Sequence, residues 1–181
     1  MKIIKAPLST EDIEQLKMGE EVLVEGVIYV ARDAAHKKMV QSIQVGEDLP
    51  FDLQGQLIYY AGPCPAPPGK VIGSAGPTTS GRMDAYAPLF IERGLKGMIG
   101  KGPRDKGVIE SMQKYGAVYL AAVGGAGAYL AQRILAADIV AYPELGPESI
   151  LKLTVKDFPC IVAIDSQGND IYDRPNGSEK K

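Results

Sequence analysis

Short apolar runs rich in β-branched residues alternate with helix-like segments through the middle of this chain, and clusters of glycine and proline separate them. Strands are predicted over residues 21–30, 56–61, 70–75, 97–100 and 117–123. Helices are predicted over residues 33–45, 83–93, 106–115 and 127–135, with a proline-induced kink in the second. Because such an alternation packs as a sheet with crossover helices, we predict a single α/β domain with a largely parallel sheet.

The two ends of the chain add further elements. Ser9 is predicted to cap a short helix, with Asp12 three residues later. Further strands are predicted over residues 137–142, 150–155, 160–165 and 169–172. This strand-rich end predicts a second small sheet, so the sheet system as a whole is expected to be mixed. The domain is assigned to residues 1–173, and the polar residues 174–181 are predicted to form a disordered tail.

The composition excludes several classes of protein. With 181 residues, of which 45% are hydrophobic and 23% charged, the chain has the make-up of one globular domain. A net charge of -2 provides no basic field of the kind that nucleic-acid binding needs. The apolar runs fall far short of the roughly 20 residues that cross a bilayer, and the first residues have no signal-peptide pattern. We therefore expect a cytoplasmic protein with no nucleic-acid or membrane partner.

Metal ligands are scarce in this sequence. It has two cysteines, Cys64 and Cys160, which form no CxxC pair, and a single histidine, His36. These residues indicate neither a disulfide framework nor a metal site, so a metal would take most of its ligands from another chain. The histidine could act as a general acid or base, although such a residue is more often a structural hydrogen bonder.

The most informative stretch is Gly76-Pro77-Thr78-Thr79-Ser80-Gly81-Arg82-Met83-Asp84. It places hydroxyls, glycines and an arginine before the helix predicted at 83–93. Backbone N–H groups at a helix start attract an anion, and a cation in that first turn suggests that an anion meets it. The alternative is a glycine-rich turn in which one hydroxyl caps the helix and the arginine is solvated. The stretch alone leaves both interpretations open.

Cations follow three of the predicted strands. Arg32 follows the first strand, Arg82 follows the strand at 70–75, and Lys101 follows the strand that ends near residue 100. Ligands of α/β proteins bind beyond the carboxyl ends of strands, so three cations on one rim suit a small dianion. Taken singly, Arg32 could pair with Asp33 or another surface acid, and Lys101 could be a solvated lysine in a flexible loop flanked by glycines. The run Gly124-Gly125-Ala126-Gly127 would add bare backbone but is not a complete dinucleotide motif.

Four motifs together resemble a known family. They are Arg32-Asp33-Ala34-Ala35-His36-Lys37, Tyr60-Ala61-Gly62-Pro63, the stretch from Gly76 to Asp84, and Gly100-Lys101-Gly102. In this order they resemble the β-subunit, or C-terminal catalytic domain, of class I fumarases and L-tartrate dehydratases. The resemblance extends to about Asp173. It implies a swivelling β/β/α domain that pairs with an α-subunit carrying a [4Fe–4S] cluster, in an α2β2 assembly.

The resemblance also implies a reaction and residue roles. The reaction would be reversible hydration of fumarate to (S)-malate, with L-tartrate dehydration as the alternative. The catalytic residues would be Thr78 as base with Arg82 and Lys101 on the substrate carboxylates, and three further residues would bind substrate: Arg32, Thr79 and Gly81. Supporting residues would be Asp33, His36 and Asp84, while Cys64 and Cys160 match no cluster ligand. A stand-alone anion-binding module without chemistry is the other class of function.

Overall fold

The computed structural model describes residues 1–122 and 126–173. Within them the strands are β1 (Lys2–Ala6), β2 (Glu21–Val30), β3 (Leu57–Tyr59), β4 (Gly97–Gly100), β5 (Val118–Ala121), β6 (Ile134–Ala141) and β7 (Ile150–Ile164). The α-helices are α1 (Thr10–Gln15), α2 (Asp33–Gln44), α3 (Ala87–Glu92), α4 (Lys106–Tyr115) and α5 (Gly127–Ala131). Two 3₁₀ segments cover Ser80–Met83 and Pro143–Glu148. Gly124, Gly125 and the predicted tail at 174–181 lie outside the described residues.

All seven strands of the described part are hydrogen-bonded into one mixed sheet, in the order β1-β2-β3-β4-β5-β7-β6. β1 to β5 run parallel to one another, whereas β7 is antiparallel to β2, β5 and β6. Because β7 pairs with β2 on one edge and with β5 on the other, the strands β2, β3, β4, β5 and β7 close into a ring. The mixed α/β prediction is confirmed. A separate second sheet is not, since β6 joins the others through β7.

The ring separates two hydrophobic cores. Successive side chains of a strand point to opposite faces, and β3 shows the result. Leu57 and Tyr59 point into the ring with the first cluster, whereas Ile58 points outward into the second. The second cluster also contains side chains of α2, α3 and α4, so these helices cover the outer face of the parallel strands. This layering leaves the carboxyl ends of the parallel strands as one rim.

The C-terminal end of the sheet differs from its prediction. The strands predicted at 150–155 and 160–165 are a single strand, β7, with an irregularity between them. Asp157 has a positive φ of 53°, opposite a register shift between Val24 and Gly26 of β2. A β-bulge of this kind bends a strand without ending it, which explains why the sequence reads as two strands. The strand predicted at 169–172 is reduced to one bridge between Ile164 and Asp170.

The predicted strand at 70–75 is wrong, and these residues form a loop. The chain turns back on itself through a proline-rich segment. As a result the Cys64 N–H donates to the Ser74 carbonyl at 2.9 Å and the Gly73 N–H to the Cys64 carbonyl at 3.2 Å. These backbone groups are therefore satisfied within the loop, and no neighbouring strand is needed to pair them.

Two predicted helices are shorter than their sequence patterns suggest. The helix predicted at 83–93 is a 3₁₀ turn at Ser80–Met83 followed by α3. Pro88 lies in the first turn of α3, where its missing N–H is tolerated, so it does not kink a longer helix. The helix predicted at 127–135 ends at Ala131, because the chain enters β6 at Ile134. β1 was not predicted. The helix capped by Ser9 is confirmed, with a complete capping box to Asp12.

His36 is part of the second core. It is fully buried, and its Nδ1 lies 2.7 Å from the carbonyl oxygen of Arg32, to which the neutral ring donates. The rings of Tyr60, Tyr86 and Phe90 surround it. Burial, with a smaller contribution from the charge of Arg104, lowers the pKa of His36 to about 4, although its hydrogen bond to Arg32 and the charge of Asp33 oppose this shift. These contacts favour the structural interpretation of this histidine.

The burial of His36 predicts a pH-dependent stability. Between about pH 6.5 and about pH 4 the unfolded chain binds this proton and the folded chain does not. Acidification through this range should therefore cost about 3 kcal/mol of unfolding free energy. His36→Asn removes the titrating group but keeps an N–H donor for the Arg32 carbonyl. On acidification this variant should therefore lose about 3 kcal/mol less unfolding free energy than the wild type. Urea unfolding of both proteins at several pH values tests this, and parallel stability curves would contradict it.

Candidate functional site

The rim formed by the carboxyl ends of β2, β3 and β4 carries most of the predicted site residues. Arg32 and Asp33 follow β2, and Lys101 follows β4. Backbone bonds extend the sheet past the strand ends, since the Tyr60 N–H donates to the Ile99 carbonyl at 2.8 Å. Neighbouring strands are about 4.8 Å apart, so positions on β2 and β4 lie on the order of 10 Å from each other. The prediction that cations follow parallel strands of one rim is confirmed for these two residues, with β3 between their strands, and is wrong for Arg82, because residues 70–75 form a loop.

The segment from Gly76 to Asp84 is fixed across this rim. The Thr78 N–H donates to the Tyr60 carbonyl at 2.7 Å, and the Ser80 N–H donates to the Lys101 carbonyl at 2.9 Å. Thr79 and Lys101 face each other in a parallel β-bridge. The backbone of the two threonines therefore runs between the extensions of β3 and β4. Thr78 is half-buried and Thr79 is exposed, so the two hydroxyls differ in their access to solvent.

Arg82 reaches across to the end of β2. Its guanidinium donates to Oδ2 of Asp33, and the two form an ion pair. The side chain of Arg82 remains 51% exposed. The other oxygen of Asp33, Oδ1, is buried and has no hydrogen-bond partner among the described residues. The alternative in which Arg32 pairs with Asp33 is wrong, because among the described residues the ion pair of Asp33 is with Arg82.

The helix-start explanation of this segment is also wrong. Arg82 lies in the last turn of a four-residue 3₁₀ helix, not in the first turn of a long helix. Thr79 precedes that helix, but its side chain makes no capping hydrogen bond. The Ser80 hydroxyl is buried against Tyr119, with the two oxygens 2.7 Å apart. Neither a helix dipole nor a hydroxyl cap therefore accounts for the arginine, whose position depends on Asp33.

Two glycines of the rim have different surroundings. A Cβ atom at Gly62 would overlap the guanidinium of Arg32, so only glycine lets this side chain lie against the end of β3. Nε of Arg32 is buried and lacks a hydrogen-bond partner within the described chain. A Cβ atom at Gly81 would come no closer than 3.9 Å to Asp84 and to Pro103. Such a Cβ atom would make only ordinary van der Waals contacts, and Gly81 itself is exposed next to Arg82.

Arg104 is a residue that sequence reasoning missed. Its side chain is fully buried, and its Nε donates to Oδ1 of Asp84 at 2.6 Å. Asp84, a predicted supporting residue, also accepts the Asp105 N–H at 2.9 Å. An arginine beside Gly102 and Pro103 reads as a solvated loop residue. The one signal that could have identified it is its spacing from Lys101 in the same short loop.

The cysteines do not belong to the rim. Cys160 lies inside the ring of strands, and burial raises the pKa of its thiol. Cys64 is exposed in the proline-rich loop. Within residues 1–122 and 126–173, His, Cys, Asp and Glu side chains nowhere gather in threes in a way that could hold a metal ion. In the same ranges no helix has the length and apolarity to cross a membrane.

The chemistry available at the rim is recognition of an anion. Arg32, Arg82 and Lys101 supply three positive charges, and the carboxylates of Asp33 and Glu148 lie at the start of α2 beside them. Guanidinium groups bind carboxylates with two parallel hydrogen bonds, and a lysine adds a point charge. Because the two arginines and the lysine approach from three separate segments, the rim suits a ligand with two carboxylates rather than one.

Comparison with known proteins identifies a family and several relatives of this chain. The family described as "Fumarase C-terminus" matches residues 2–175. A putative L(+)-tartrate dehydratase subunit beta of Methanocaldococcus jannaschii is 42% identical over 175 residues, which cover 93% of this chain and 90% of that protein. The class I, anaerobic fumarate hydratase of Escherichia coli is 42% identical over 174 residues, which cover 95% of this chain and 31% of that protein.

The longer relatives extend well beyond the matched region. Fumarate hydratase 2 of Leishmania major is 40% identical over 175 residues, covering 94% of this chain but 31% of that enzyme. The chain thus spans about a third of the fumarate hydratases that it matches, and nearly the whole of the dehydratase subunit. On the match over residues 2–175, the chain belongs to the Fumarase C-terminus family.

Proposed function

We propose that this chain is the β-subunit of a two-subunit hydro-lyase that reversibly hydrates fumarate to (S)-malate in the cytoplasm. The observation that carries this proposal is the rim, where Arg32 follows β2, Lys101 follows β4, and Arg82 forms an ion pair with Asp33 at the end of β2. The relatives support the reaction class, since they are named fumarate hydratases and a tartrate dehydratase subunit. The ring of strands covered by helices on one face is consistent with the swivelling β/β/α fold of this proposal.

The cations would bind the two carboxylates of the substrate. The Arg82–Asp33 pair is half-exposed, and exposed ion pairs contribute about 0–1 kcal/mol, so a substrate carboxylate can replace Asp33 at little cost. Arg32 and Lys101 would hold the other carboxylate. As a proton leaves the carbon next to a carboxylate, negative charge builds on the carboxylate oxygens, and preorganised cations stabilise that charge. Thr79 and Gly81, which are both exposed at this rim, would complete the substrate pocket.

Thr78 is the proposed base. Its backbone is fixed by the bond from its N–H to the Tyr60 carbonyl, and its side chain is half-buried beside the cationic rim. A threonine hydroxyl is a weak base unless another group takes its proton. We assign that second group to a carboxylate of the α-subunit. The nearby cations would then stabilise the alkoxide that accepts the substrate proton. As supporting residues, Asp33 would hold Arg82 until the substrate carboxylate replaces it, and Asp84 would hold Arg104.

The residues present do not form a cluster site. Of the described cysteines, Cys64 is exposed in a loop and Cys160 is buried inside the ring, and neither belongs to a group of side chains that could hold a metal ion in the described part of the chain. We therefore assign the [4Fe–4S] cluster to the α-subunit of an α2β2 assembly, and no step proposed for this chain passes through it. The M. jannaschii relative, named as a subunit and covered to 90% by this chain, supports a partner chain.

L-Tartrate dehydration to oxaloacetate is the second candidate reaction, and the same relative favours it by its name. A non-catalytic anion-binding module is the third. Co-expression with the cluster-bearing subunit, anaerobic reconstitution with iron and sulfide, and assays on fumarate, (S)-malate and L-tartrate separate the three. Turnover of fumarate supports the proposal, and turnover of tartrate alone selects the second reaction. A reconstituted pair that turns over neither substrate would leave only the binding module.

Arg82 gives the sharpest test of the rim. Arg82→Ala should lower kcat/KM of the reconstituted pair by about 10²- to 10³-fold, because it removes a cation from the developing charge. Subunit assembly, followed by size-exclusion chromatography, should be unchanged because this side chain is half-exposed. Arg93→Ala removes an exposed arginine after α3 and is the matched control. Near-normal kcat/KM in Arg82→Ala would remove this residue from the site.

The two threonines should respond differently to loss of the hydroxyl. Thr78→Val should lower kcat by about 10²- to 10⁴-fold, the usual contribution of a general base, whereas Thr78→Ser should retain most of the activity. Thr79→Val should raise KM and leave kcat close to wild type, since Thr79 is assigned to binding. Steady-state kinetics on the reconstituted pair measures both constants. Equal effects of the two valine variants on kcat would argue against Thr78 as the base.

A further inference from the structure

We infer that Arg104 is a positioning residue that fixes Arg82 and Lys101 relative to each other. This inference rests on the proposed function and concerns the same rim. Arg104 lies three residues after Lys101, and its ion-pair partner Asp84 lies two residues after Arg82. The pair therefore joins the two short segments that carry these cations. Neither member need touch the substrate to do so.

The contacts of Arg104 use every part of its guanidinium. Nε donates to Asp84, Nη2 donates to the Tyr60 hydroxyl at 3.3 Å, and Nη1 lies 3.3 Å from Sδ of Met98. The guanidinium carbon also lies 5.3 Å from the centre of the Tyr60 ring and 4.9 Å from that of Tyr119. A planar group with this many simultaneous contacts is held in one orientation, which an ammonium group could not reproduce.

A second set of hydrogen bonds connects this cluster to the backbone of Lys101. The Tyr119 hydroxyl donates to the Gly102 carbonyl at 2.8 Å and lies 2.7 Å from the Ser80 hydroxyl. The Ser80 N–H in turn donates to the Lys101 carbonyl at 2.9 Å. A Cβ atom at Gly100 would overlap the Ser80 hydroxyl, so this packing is close. The residues that flank both cations are thus tied to one aromatic and ionic cluster.

Stability alone does not require this cluster. A buried ion pair gains little over well-packed apolar side chains of the same size, because its charges lose their hydration. Arg104 is 6% exposed, and most of its buried neighbours on this face of the sheet are apolar or aromatic, with His36 and Ser80 as the polar ones. Asp84 also fixes the Asp105 N–H at the start of α4. What the pair provides beyond stability is a fixed geometry between two loops.

The test removes both charges together. Asp84→Asn combined with Arg104→Met leaves no unpaired buried charge, so the double variant should fold, and the introduced amide can still accept the Asp105 N–H. Each single variant should lose roughly 10 °C of Tm, and the double variant less. In the reconstituted pair, the double variant should raise KM for fumarate at least tenfold. Hydrogen exchange of the Ser80 amide should become at least tenfold faster.

Two further variants separate positioning from a general loss of stability. Ile13→Ala removes a buried side chain from the first core and should lower Tm without changing KM or exchange at Ser80. Arg104→Lys keeps the charge but not the planar fork, so it should raise KM like the double variant. If the double variant does not fold, KM and hydrogen exchange at Ser80 are measured in Arg104→Lys instead.

The outcomes are distinct. An unchanged KM in a folded, active double variant, or unchanged exchange at Ser80, would overturn the positioning role. A wild-type pair that turns over neither fumarate nor tartrate would remove the proposed function. In that case the exchange measurement alone still decides whether Arg104 orders the two loops.

Discussion

The pairing of β7 along both of its edges is the constraint on which the rest of the structure depends. One edge of β7 is hydrogen-bonded to β2 and the other to β6 and β5, which closes the ring. Because a closed ring has no free register, the carboxyl ends of β2, β3 and β4 are fixed relative to one another. The positions of Arg32 and Lys101, which follow β2 and β4, are therefore fixed as well. The bulge at Asp157 lets one continuous strand bend far enough to make both sets of bonds.

Two arginine–aspartate pairs near the rim have different physical properties. The Arg82–Asp33 pair is half-exposed, so water screens it and a carboxylate ligand can compete for the arginine. The Arg104–Asp84 pair is almost completely buried, and breaking it would leave an uncompensated charge in the core. The first pair is therefore exchangeable and the second is permanent. A binding site needs both, since a cation must be free to change partner while the backbone that carries it stays in place.

Much of the fold and of the rim can be predicted from the sequence. The features that cannot be predicted depend on contacts between residues that are distant in the chain. A run rich in β-branched residues predicts β2, and helix start and stop residues predict α2 and α4. The same reasoning places Arg32 and Lys101 after strands. It fails for residues 70–75, where apolar residues pack in a loop, and for Arg104, whose partners lie 20 and 44 residues away. Local pattern carries no information about such long-range side-chain pairs, and the fold alone brings them together.

Electrostatics indicates that a rim open to solvent binds a carboxylate only weakly by itself. The attraction between two unit charges 4 Å apart is about 1 kcal/mol in water and about 4 kcal/mol at an effective dielectric constant of 20. Arg82 is 51% exposed, so in this chain alone it would gain little from a substrate carboxylate. Covering the rim with a second subunit would exclude water and strengthen each of these contacts without adding a residue to this chain. Under the proposed function, the partner would therefore contribute to catalysis first by excluding solvent from cations that this chain has already positioned.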